Sequence, residues 1–314
     1  MLGLVTADVA APLDPDLEPL RAALAERLGA AHVAVVSWDD PTVDWSSFSA
    51  LVVRSTWDYT DRLDEFLGWV DAVSDVTTLL NGADAIRWSA DKRYLGELEA
   101  AGVGIVPTTY VAPGDPVPAV DVDAGVHVVK PTVGAGSSGA RRCAPSEVAD
   151  HIATLHAEGR TAMVQPYLEL LDRDGEVAHC YVVGGDGTSL ELSHAFNKGA
   201  ILTSVEVEQE GGLFAKEEIT AAVPSDEQLA TAQAALATGV ARSFDDVVFA
   251  RVDVAPVRLA DGSDGQVVME VELIEPSFYF VTVAAAGGDP AGRFADGVLS
   301  ALRARQIDVA GHAV

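Results

Sequence analysis

Three carboxylates in the last quarter of the chain have a spacing that suits a metal site. Glu270 and Glu272 alternate with apolar residues in a predicted strand, 266–274, so both side chains project from one face of it. Asp253 lies in a neighbouring predicted strand, 247–254. Mg²⁺ commonly binds one or two carboxylates together with substrate phosphates, so these oxygens could hold it. The alternative is a solvated acidic face, although like charges inside an apolar strand repel one another unless a cation compensates them.

Two of the chain's four lysines stand where a cation could meet a phosphate. Lys130 ends a predicted strand, 126–129, and directly precedes Pro131 and a glycine-rich segment. Lys92 falls in the first turn of a predicted helix, 91–101, where a positive charge is unfavourable to the helix dipole unless an anion compensates it. Each lysine alone is typical of a solvated surface. Together, in a chain with so few lysines, they favour a polyphosphate ligand.

The glycine-rich segment, Gly134-Ala-Gly-Ser-Ser-Gly139, matches the Gly-x-Gly-x-x-Gly pattern. Its backbone N–H groups, unhindered by large side chains, can wrap a phosphate, although a flexible surface turn would look the same. A dinucleotide-binding unit would also need an acid at the end of the next strand, which ends here in Gln165-Pro166-Tyr167. A nicotinamide-dependent oxidoreductase and a non-catalytic nucleotide sensor are nevertheless kept as alternatives.

The secondary-structure elements that must position these residues divide the chain into three predicted structural units. Strands alternating with helices are typical of a doubly wound α/β domain, here 1–88. A linker helix and a small α+β unit follow over 89–165, and a C-terminal unit spans 166–314. We predict strands at 2–6, 32–38, 49–53, 108–111, 126–129, 162–165, 177–183, 190–194, 247–254 and 266–274, and helices at 16–28, 61–72, 91–101, 146–158, 226–243 and 292–306.

Composition limits the class of partner. The 314 residues carry 48 acidic and 20 basic side chains, a formal charge of −28, which disfavours nucleic acid and anionic membranes as partners. Hydrophobic residues make up 49% of the chain, as in folded globular domains. Cys143 and Cys180 form no disulfide framework, which favours a reducing compartment. No uncharged run approaches the roughly 18 residues of a membrane span, so we expect a cytoplasmic protein.

Taken in order, the motifs resemble those of the ATP-grasp ligases over nearly the whole chain. That order is a lysine before the central unit (Lys92), a strand-end lysine-proline (Lys130), a glycine-rich lid (133–139), a hinge (163–168) and a closing set of carboxylates. The resemblance implies an α/β and α+β fold of three subdomains, with the nucleotide between the central and C-terminal ones.

The resemblance also implies a role for each matched residue. ATP would be held by Lys92 and Lys130 at its phosphates, by Gly134, Gly136, Ser137, Ser138 and Gly139 in the lid, by Met163, Gln165, Tyr167 and Leu168 at the adenine, and by Glu176 at the ribose. Mg²⁺ would bind Asp253, Glu270 and Glu272; many relatives have asparagine at the last of these positions. Arg251 would stabilise the transferring phosphoryl group, and Lys198 would act near the substrate carboxylate.

Within this family, segments such as Arg54-Ser-Thr-Trp57 and Lys198-Gly-Ala200 are most similar to the O-ureido-serine cyclo-ligases of cycloserine biosynthesis. The chain departs from them at Asp58-Tyr59, and Trp57 and Tyr59 are equally compatible with core packing. The substrate contacts that this similarity implies are Arg54, Ser55, Trp57 and Glu275. His194 could move a proton, although a structural hydrogen bond is more typical of a strand histidine.

The implied activity is that of an ATP- and Mg²⁺-dependent ligase. It would activate an amino-acid-like carboxylate as an acyl phosphate for attack by an amine-type nucleophile, either within the same molecule or, as the alternative, on a second amino acid. We therefore expect a small-molecule carboxylate as the partner, and the sequence leaves a homodimer open.

Overall fold

The structure is a computed structural model that describes residues 1–119, 125–200, 218–238 and 246–309, together with the backbone of 209–210, 214–215 and 239. Its strands are β1 Leu2–Thr6, β2 Val33–Ser37, β3 Ala50–Val53, β4 Thr78–Leu80, β5 Thr109–Val111, β6 His127–Pro131, β7 Arg141–Cys143, β8 Ala162–Pro166, β9 Glu176–Val183, β10 Leu190–Lys198, β11 Gln209–Glu210, β12 Phe214–Ala215, β13 Ile219–Ala222, β14 Phe249–Arg258 and β15 Asp264–Glu272. Its helices are α1 Leu17–Leu28, α2 Leu63–Ser74, α3 Ala83–Ala90, α4 Tyr94–Ala100, α5 Val148–Ala157, α6 Leu171–Asp174, α7 Asp226–Gly239, α8 Phe280–Ala285 and α9 Pro290–Ala304.

The N-terminal sheet is parallel, in the order β2-β1-β3-β4. Every residue of β1 and β3 is buried, because helices cover both faces of a parallel sheet of this kind. Helix α1 turns its leucines inward at helical spacing, with Leu17, Leu20, Leu24 and Leu28 all buried. The doubly wound α/β arrangement predicted for this part of the chain is confirmed.

The central sheet is antiparallel, in the order β5-β8-β6-β7, and α5 covers it. Apolar side chains from α5, chiefly Val148, Ile152 and Leu155, pack on Val129 of β6 and Val164 of β8. This small core holds β6, the strand that ends in Lys130-Pro131, at a fixed distance from the chain that follows β8.

The C-terminal sheet is antiparallel, in the order β13-β10-β9-β14-β15. Helix α9 packs on one face together with α1, and α7 packs on the other together with α4. The predicted hairpin of β9 and β10 is confirmed. Strand β14 continues beyond its predicted end to Arg258, and β15 begins before its predicted start, at Asp264. Arg258 and Asp264 form an ion pair of 2.5 Å that closes this end of the hairpin. The end of the predicted helix 226–243, at 240–243, lies outside the described residues.

The predicted helix 91–101 was wrong at its start. Helix α3 ends at Ala90 and α4 begins at Tyr94, so Lys92 lies in a break between two helices. Asp91 is extended, and its carboxylate accepts a hydrogen bond from the backbone N–H of Arg93 at 3.0 Å. The break frees the N–H of Lys92 to donate to the carbonyl of Thr132. Helix α4 packs on the C-terminal sheet, although the sequence grouped it with the central unit.

No helix in the described parts of the chain combines the length and the apolarity that a membrane crossing requires.

One buried side chain of the N-terminal unit fastens that unit to the C-terminal sheet. Asn81 follows β4 with a left-handed backbone, φ 71°, and is 1% exposed. Its Nδ2 donates to the carbonyls of Phe249 and Leu273 at 2.8 and 2.7 Å, and its Oδ1 accepts from the N–H of Val248 at 2.7 Å. These backbone groups lie at the ends of β14 and β15, where strand pairing no longer satisfies them.

We predict that Asn81→Gly lowers the free energy of unfolding by roughly 3 kcal/mol, because it leaves buried backbone groups without partners. Glycine keeps the left-handed backbone without strain, so the loss comes mainly from the missing hydrogen bonds, with a smaller part from the greater freedom of glycine in the unfolded chain. Asn81→Asp should destabilise the protein at least as much, because a carboxylate oxygen would face two carbonyl oxygens. Chemical denaturation measures both, and a Gly variant within about 0.5 kcal/mol of the wild type would contradict the assignment.

Candidate active site

A cavity of about 490 Å³ lies where the three sheets meet. It is lined by most of the residues that the sequence singled out: Trp57, Lys92, Lys130, Gly134, Gly136, Ser137, Ser138, Gln165, Tyr167, Leu168, Glu176, Lys198, Arg251, Glu270, Glu272 and Glu275. Five others are not among its lining residues, namely Arg54, Ser55, Gly139, Met163 and Asp253. The charged residues meet on the face of β14 and β15 that looks into the cavity.

The three predicted metal ligands come together. One carboxylate oxygen from each of Asp253, Glu270 and Glu272 lies within 4.8 Å of the others. Antiparallel pairing places Asp253 opposite Glu270 and Arg251 opposite Glu272, and the strand register shifts between Asp253 and Val254. The alternation of acids and apolar residues in β15 is thus the cause of this constellation.

Arg251 and Lys198 neutralise Asp253 in the ligand-free structure. The Arg251 guanidinium donates to both oxygens of Asp253 at 2.9 Å and also bonds Glu272. Lys198 Nζ lies 2.6 Å from Asp253 Oδ2 and 2.5 Å from Glu176 Oε1. Burial would raise the pKa of Asp253, but the charges of Arg251 and Lys198 hold it below the usual range. Asp253 is therefore a carboxylate at neutral pH.

Lys92 joins the carboxylates to the glycine-rich segment. Its Nζ lies 2.9 Å from Glu270 Oε1 and donates to the carbonyl of Gly134 at 2.6 Å. Lys130, on β6, faces the same part of the cavity. Burial lowers the pKa of Lys130, and the charge of Glu270 acts in the opposite direction. Lys92 thus contacts the glycine-rich segment directly, and Lys130 lines the same cavity.

The glycine-rich segment has the backbone of a loop that can turn its N–H groups inward. Gly136, Ser137 and Gly139 have left-handed φ angles of 55°, 62° and 71°. A Cβ at Gly139 would come within 3.2 Å of the Pro131 ring, so both the angle and the space require glycine there. Arg160 donates to the carbonyl of Val133 at 3.0 Å and thereby fixes one end of the loop.

The far end of the cavity is apolar and suits a flat ring. Tyr167 and Leu168, which follow β8, line it together with Val106, Val128 and Met269. The Arg142 guanidinium lies 3.8 Å from the centre of the Tyr167 ring and supports it from behind. Met163 lies away from the cavity: it is buried with Tyr181 and the apolar residues of α4 and α7. The sequence could not separate the buried Met163 from Tyr167 and Leu168, which line the cavity. All three residues belong to one short segment, 163–168, that was predicted to hold the adenine.

The opposite end of the cavity is formed by Trp57, Tyr59 and Glu275. The Tyr59 hydroxyl donates to the Glu275 carboxyl. Burial, with the charge of Glu272, raises the pKa of Glu275 to about 8. Glu272 has a pKa of about 7, raised first by burial and then by the neighbouring Glu270 and Asp253. This end of the cavity is therefore poised to take a cationic group, which would favour the charged carboxylates.

Arg54 does not reach the cavity, in contrast to its predicted contact with the substrate. It is 1% exposed and lies 3.7 and 3.8 Å from the carboxylates of Asp14 and Asp16. Ser55 is fully buried and bonds Thr6. The chain turns after β3 so that Trp57 and Tyr59, rather than the two polar residues before them, face the cavity.

Among the cavity residues that the sequence analysis did not single out, two carry polar groups beside Glu275. Ser277 and Tyr279 line the wall next to Glu275. They follow β15, the strand of Glu270 and Glu272, by five and seven residues, and that nearness in sequence is the signal that could have found them.

Comparison with known proteins places the chain in a family. Residues 2–81 match the family model for the N-terminal domain of the D-cycloserine synthetase DcsG. The cycloserine biosynthesis protein DcsG of Streptomyces lavendulae is 40% identical over 289 residues, which cover 88% of this chain and 92% of that protein. The chain belongs to the DcsG family of ATP-grasp ligases.

Comparison with solved structures supports this family assignment. The crystal structure of D-cycloserine synthetase DcsG superposes with a TM-score of 0.78 at 37% identity, covering 98% of this chain and 99% of that one. A D-alanine–D-alanine ligase from Bacillus anthracis, complexed with ATP, superposes with a TM-score of 0.60 at 15% identity over 98% of each chain, and that likeness concerns the fold alone. The protein is thus an ATP-dependent ligase with the ATP-grasp fold, as the sequence predicted.

We predict that Asp253→Asn lowers the free energy of unfolding of the ligand-free enzyme by roughly 3–5 kcal/mol, because two buried cations lose a shared partner. Asp174 is the matched control, since it forms a bidentate pair with Arg173 at the surface. Asp174→Asn should leave the free energy of unfolding nearly unchanged. Urea denaturation compares the two variants, and equal losses would show that burial of the pair is not what matters.

Proposed function

We propose that this ligase activates the carboxylate of an amino-acid-like small molecule as an acyl phosphate, and that an amine-type nucleophile of the same molecule then closes a ring. The observation that supports this most directly is the ion-pair cluster in the cavity, in which Lys198 pairs with Asp253, and Arg251 pairs with both Asp253 and Glu272. Such chemistry needs positioning and charge neutralisation more than it needs a nucleophile on the enzyme.

The donor set fits a magnesium ion. Asp253, Glu270 and Glu272 offer hard oxygen ligands within 4.8 Å of one another, at the edge of the space that the phosphates would occupy. When bound there, the metal would neutralise charge on the phosphates during transfer. The lysine and arginine cations that now pair with these carboxylates could then turn toward the phosphates.

The proposed reaction has two steps. A carboxylate oxygen of the substrate attacks the γ-phosphorus of ATP, the bond from that phosphorus to the bridging oxygen breaks, and ADP leaves. The nucleophilic nitrogen then attacks the acyl carbon, inorganic phosphate leaves, and the nitrogen loses a proton. Lys92, Lys130 and Arg251 would neutralise the phosphoryl oxygens throughout, and the glycine-rich segment would exclude water from the acyl phosphate.

The character of the two ends of the cavity supports a position for each of the two ligands. The apolar end at Tyr167 and Leu168 suits the adenine, with Glu176 beside it for the ribose. The other end, with Trp57, Tyr59 and Glu275, suits the amino group and short side chain of the substrate, because a buried carboxyl there would pair with an ammonium group. The relatives named for D-cycloserine support a serine-derived substrate whose side chain carries the nucleophile.

We predict that ADP release depends on a substrate of this class. The wild-type enzyme with ATP and Mg²⁺ is offered single amino acids, including O-ureido- and aminooxy-serine, and the product mass is measured. A single-substrate product that has lost the elements of water or of a leaving group supports ring closure. A product that contains two substrates would instead show a ligase that joins amino acids, and stabilisation by NAD but not by ATP with Mg²⁺ would overturn the proposal.

We predict that Lys130→Ala abolishes ATP-dependent product formation while the protein stays folded. Lys130 is a half-buried lysine beside the glycine-rich segment, so its loss removes charge from the phosphate site without opening a main core. Arg303→Ala removes the same unit charge from the exposed face of α9 and should retain wild-type activity. Turnover and thermal unfolding are measured for both, and wild-type turnover in the Lys130 variant would contradict the assignment.

A further inference from the structure

The chain that follows Glu275 forms a loop whose backbone is held by side chains from elsewhere. We call residues 276–280 the collared loop. Asp16 accepts three hydrogen bonds from it: its Oδ2 from the N–H groups of Phe278 and Tyr279 at 2.7 Å each, and its Oδ1 from that of Phe280 at 2.6 Å. Tyr279 has a left-handed backbone, φ 51°, which lets three successive N–H groups converge on one carboxylate.

The carbonyls of the collared loop are bonded as well. Arg54 donates to the carbonyl of Pro276 at 2.9 Å, and Arg251 donates to that of Ser277 at 3.1 Å. His194 Nε2 donates to the carbonyl of Phe278 at 2.8 Å. Burial lowers the pKa of His194 to about 4, so the ring is neutral at pH 7 and its other nitrogen can accept from Ser193.

Two of these side chains belong to the N-terminal unit, and both are buried. Asp16 is fully buried at the start of α1, and Arg54 follows β3. Arg54 lies within 3.8 Å of Asp16, so the two charged side chains that hydrogen-bond the loop also neutralise one another. The loop in turn places Ser277 and Tyr279 on the cavity wall and fixes one nitrogen of Arg251.

We infer that Asp16, Arg54 and His194 are positioning residues of the ligase reaction, which set the substrate wall of the cavity through the collared loop. This inference rests on the proposed function only for what binds at that wall. It explains the position of Arg54: the arginine holds the carbonyl of Pro276 and so shapes the substrate site indirectly, without touching the substrate. The N-terminal unit must then dock on the C-terminal sheet before that wall takes its shape.

The first test is Asp16→Asn, which keeps the size of the side chain but replaces an acceptor oxygen with a donor. Asp289→Asn is the matched control, since Asp289 accepts from the N–H of Gly292 at the start of α9, on an exposed turn. We expect amide hydrogen exchange in the peptide over 276–286 to rise at least tenfold in the Asp16 variant alone. The dissociation constant for a fluorescent ATP analogue with Mg²⁺ should change less than twofold in both, because the collared loop includes none of the residues proposed to hold the adenine, the ribose or the metal.

Steady-state kinetics separate a positioning role of Asp16 from a purely stabilising one. With a substrate that releases ADP, Asp16→Asn should lower kcat/KM by roughly 10- to 100-fold, as expected when a reacting group is misplaced by about 1 Å. Asp289→Asn should leave kcat/KM within twofold, even where it lowers the melting temperature. If the wild type releases ADP with no substrate offered, the proposed function fails, whereas hydrogen exchange still decides whether Asp16 holds the loop.

A second pair of variants, at His194, tests the inference independently of whether the Asp16 variant folds. His194→Phe removes the N–H donor to Phe278 and keeps a ring among Phe196, Phe278 and Phe280. His194→Gln restores a donor, so it should recover most of the loop protection and of kcat/KM that the Phe variant loses. Unchanged exchange over 276–286 in both Asp16→Asn and His194→Phe, or equal loss in the Phe and Gln variants, would overturn the inference.

Discussion

The structure depends on the mutual neutralisation of three acids on β14 and β15 by bases that come from β10, β14 and the break between α3 and α4. Asp253, Glu270 and Glu272 lie among Lys92, Lys198 and Arg251, with nitrogen–oxygen distances of 2.6–2.9 Å for the lysine pairs. Removing each ion from water costs several kcal/mol, and apolar residues of similar volume would commonly stabilise a core better. Stability alone therefore does not account for the cluster, which supports the proposal that it binds ligands of both signs. The carboxylates suit a metal, and the cations suit phosphates.

The cluster also couples the three sheets. Lys92 comes from the break between two helices, bonds Glu270 of the C-terminal sheet and holds the Gly134 carbonyl of the central unit. A nucleotide that drew Lys92 away from Glu270 would therefore act on the glycine-rich segment at the same time. In the proposed function, the ion pairs that balance charge within this cluster are the contacts that ATP and Mg²⁺ would replace.

Local pattern predicted much of this arrangement, and long-range packing determined the rest. Alternation in β15 located Glu270 and Glu272, and the neighbourhood of Pro131 and the glycines located Lys130. The same reasoning misplaced Arg54, because a buried arginine with Asp14 and Asp16 has the same local sequence as one that faces a substrate. It also missed Asp16, whose partners lie more than 260 positions away. No periodicity connects residues so distant.

The contacts that orient the N-terminal unit are polar, and this choice has a physical reason. Apolar packing, as between α1 and α9, tolerates small sliding because it has no preferred direction. Asn81 and Asp16 instead bond backbone groups at the ends of strands and at the start of α8, groups that regular structure leaves without partners. Because hydrogen bonds weaken steeply with angle, these clamps permit one docked position. The apolar faces bring the units together, and the hydrogen bonds of Asp16 fix the loop that carries Ser277 and Tyr279 on the cavity wall.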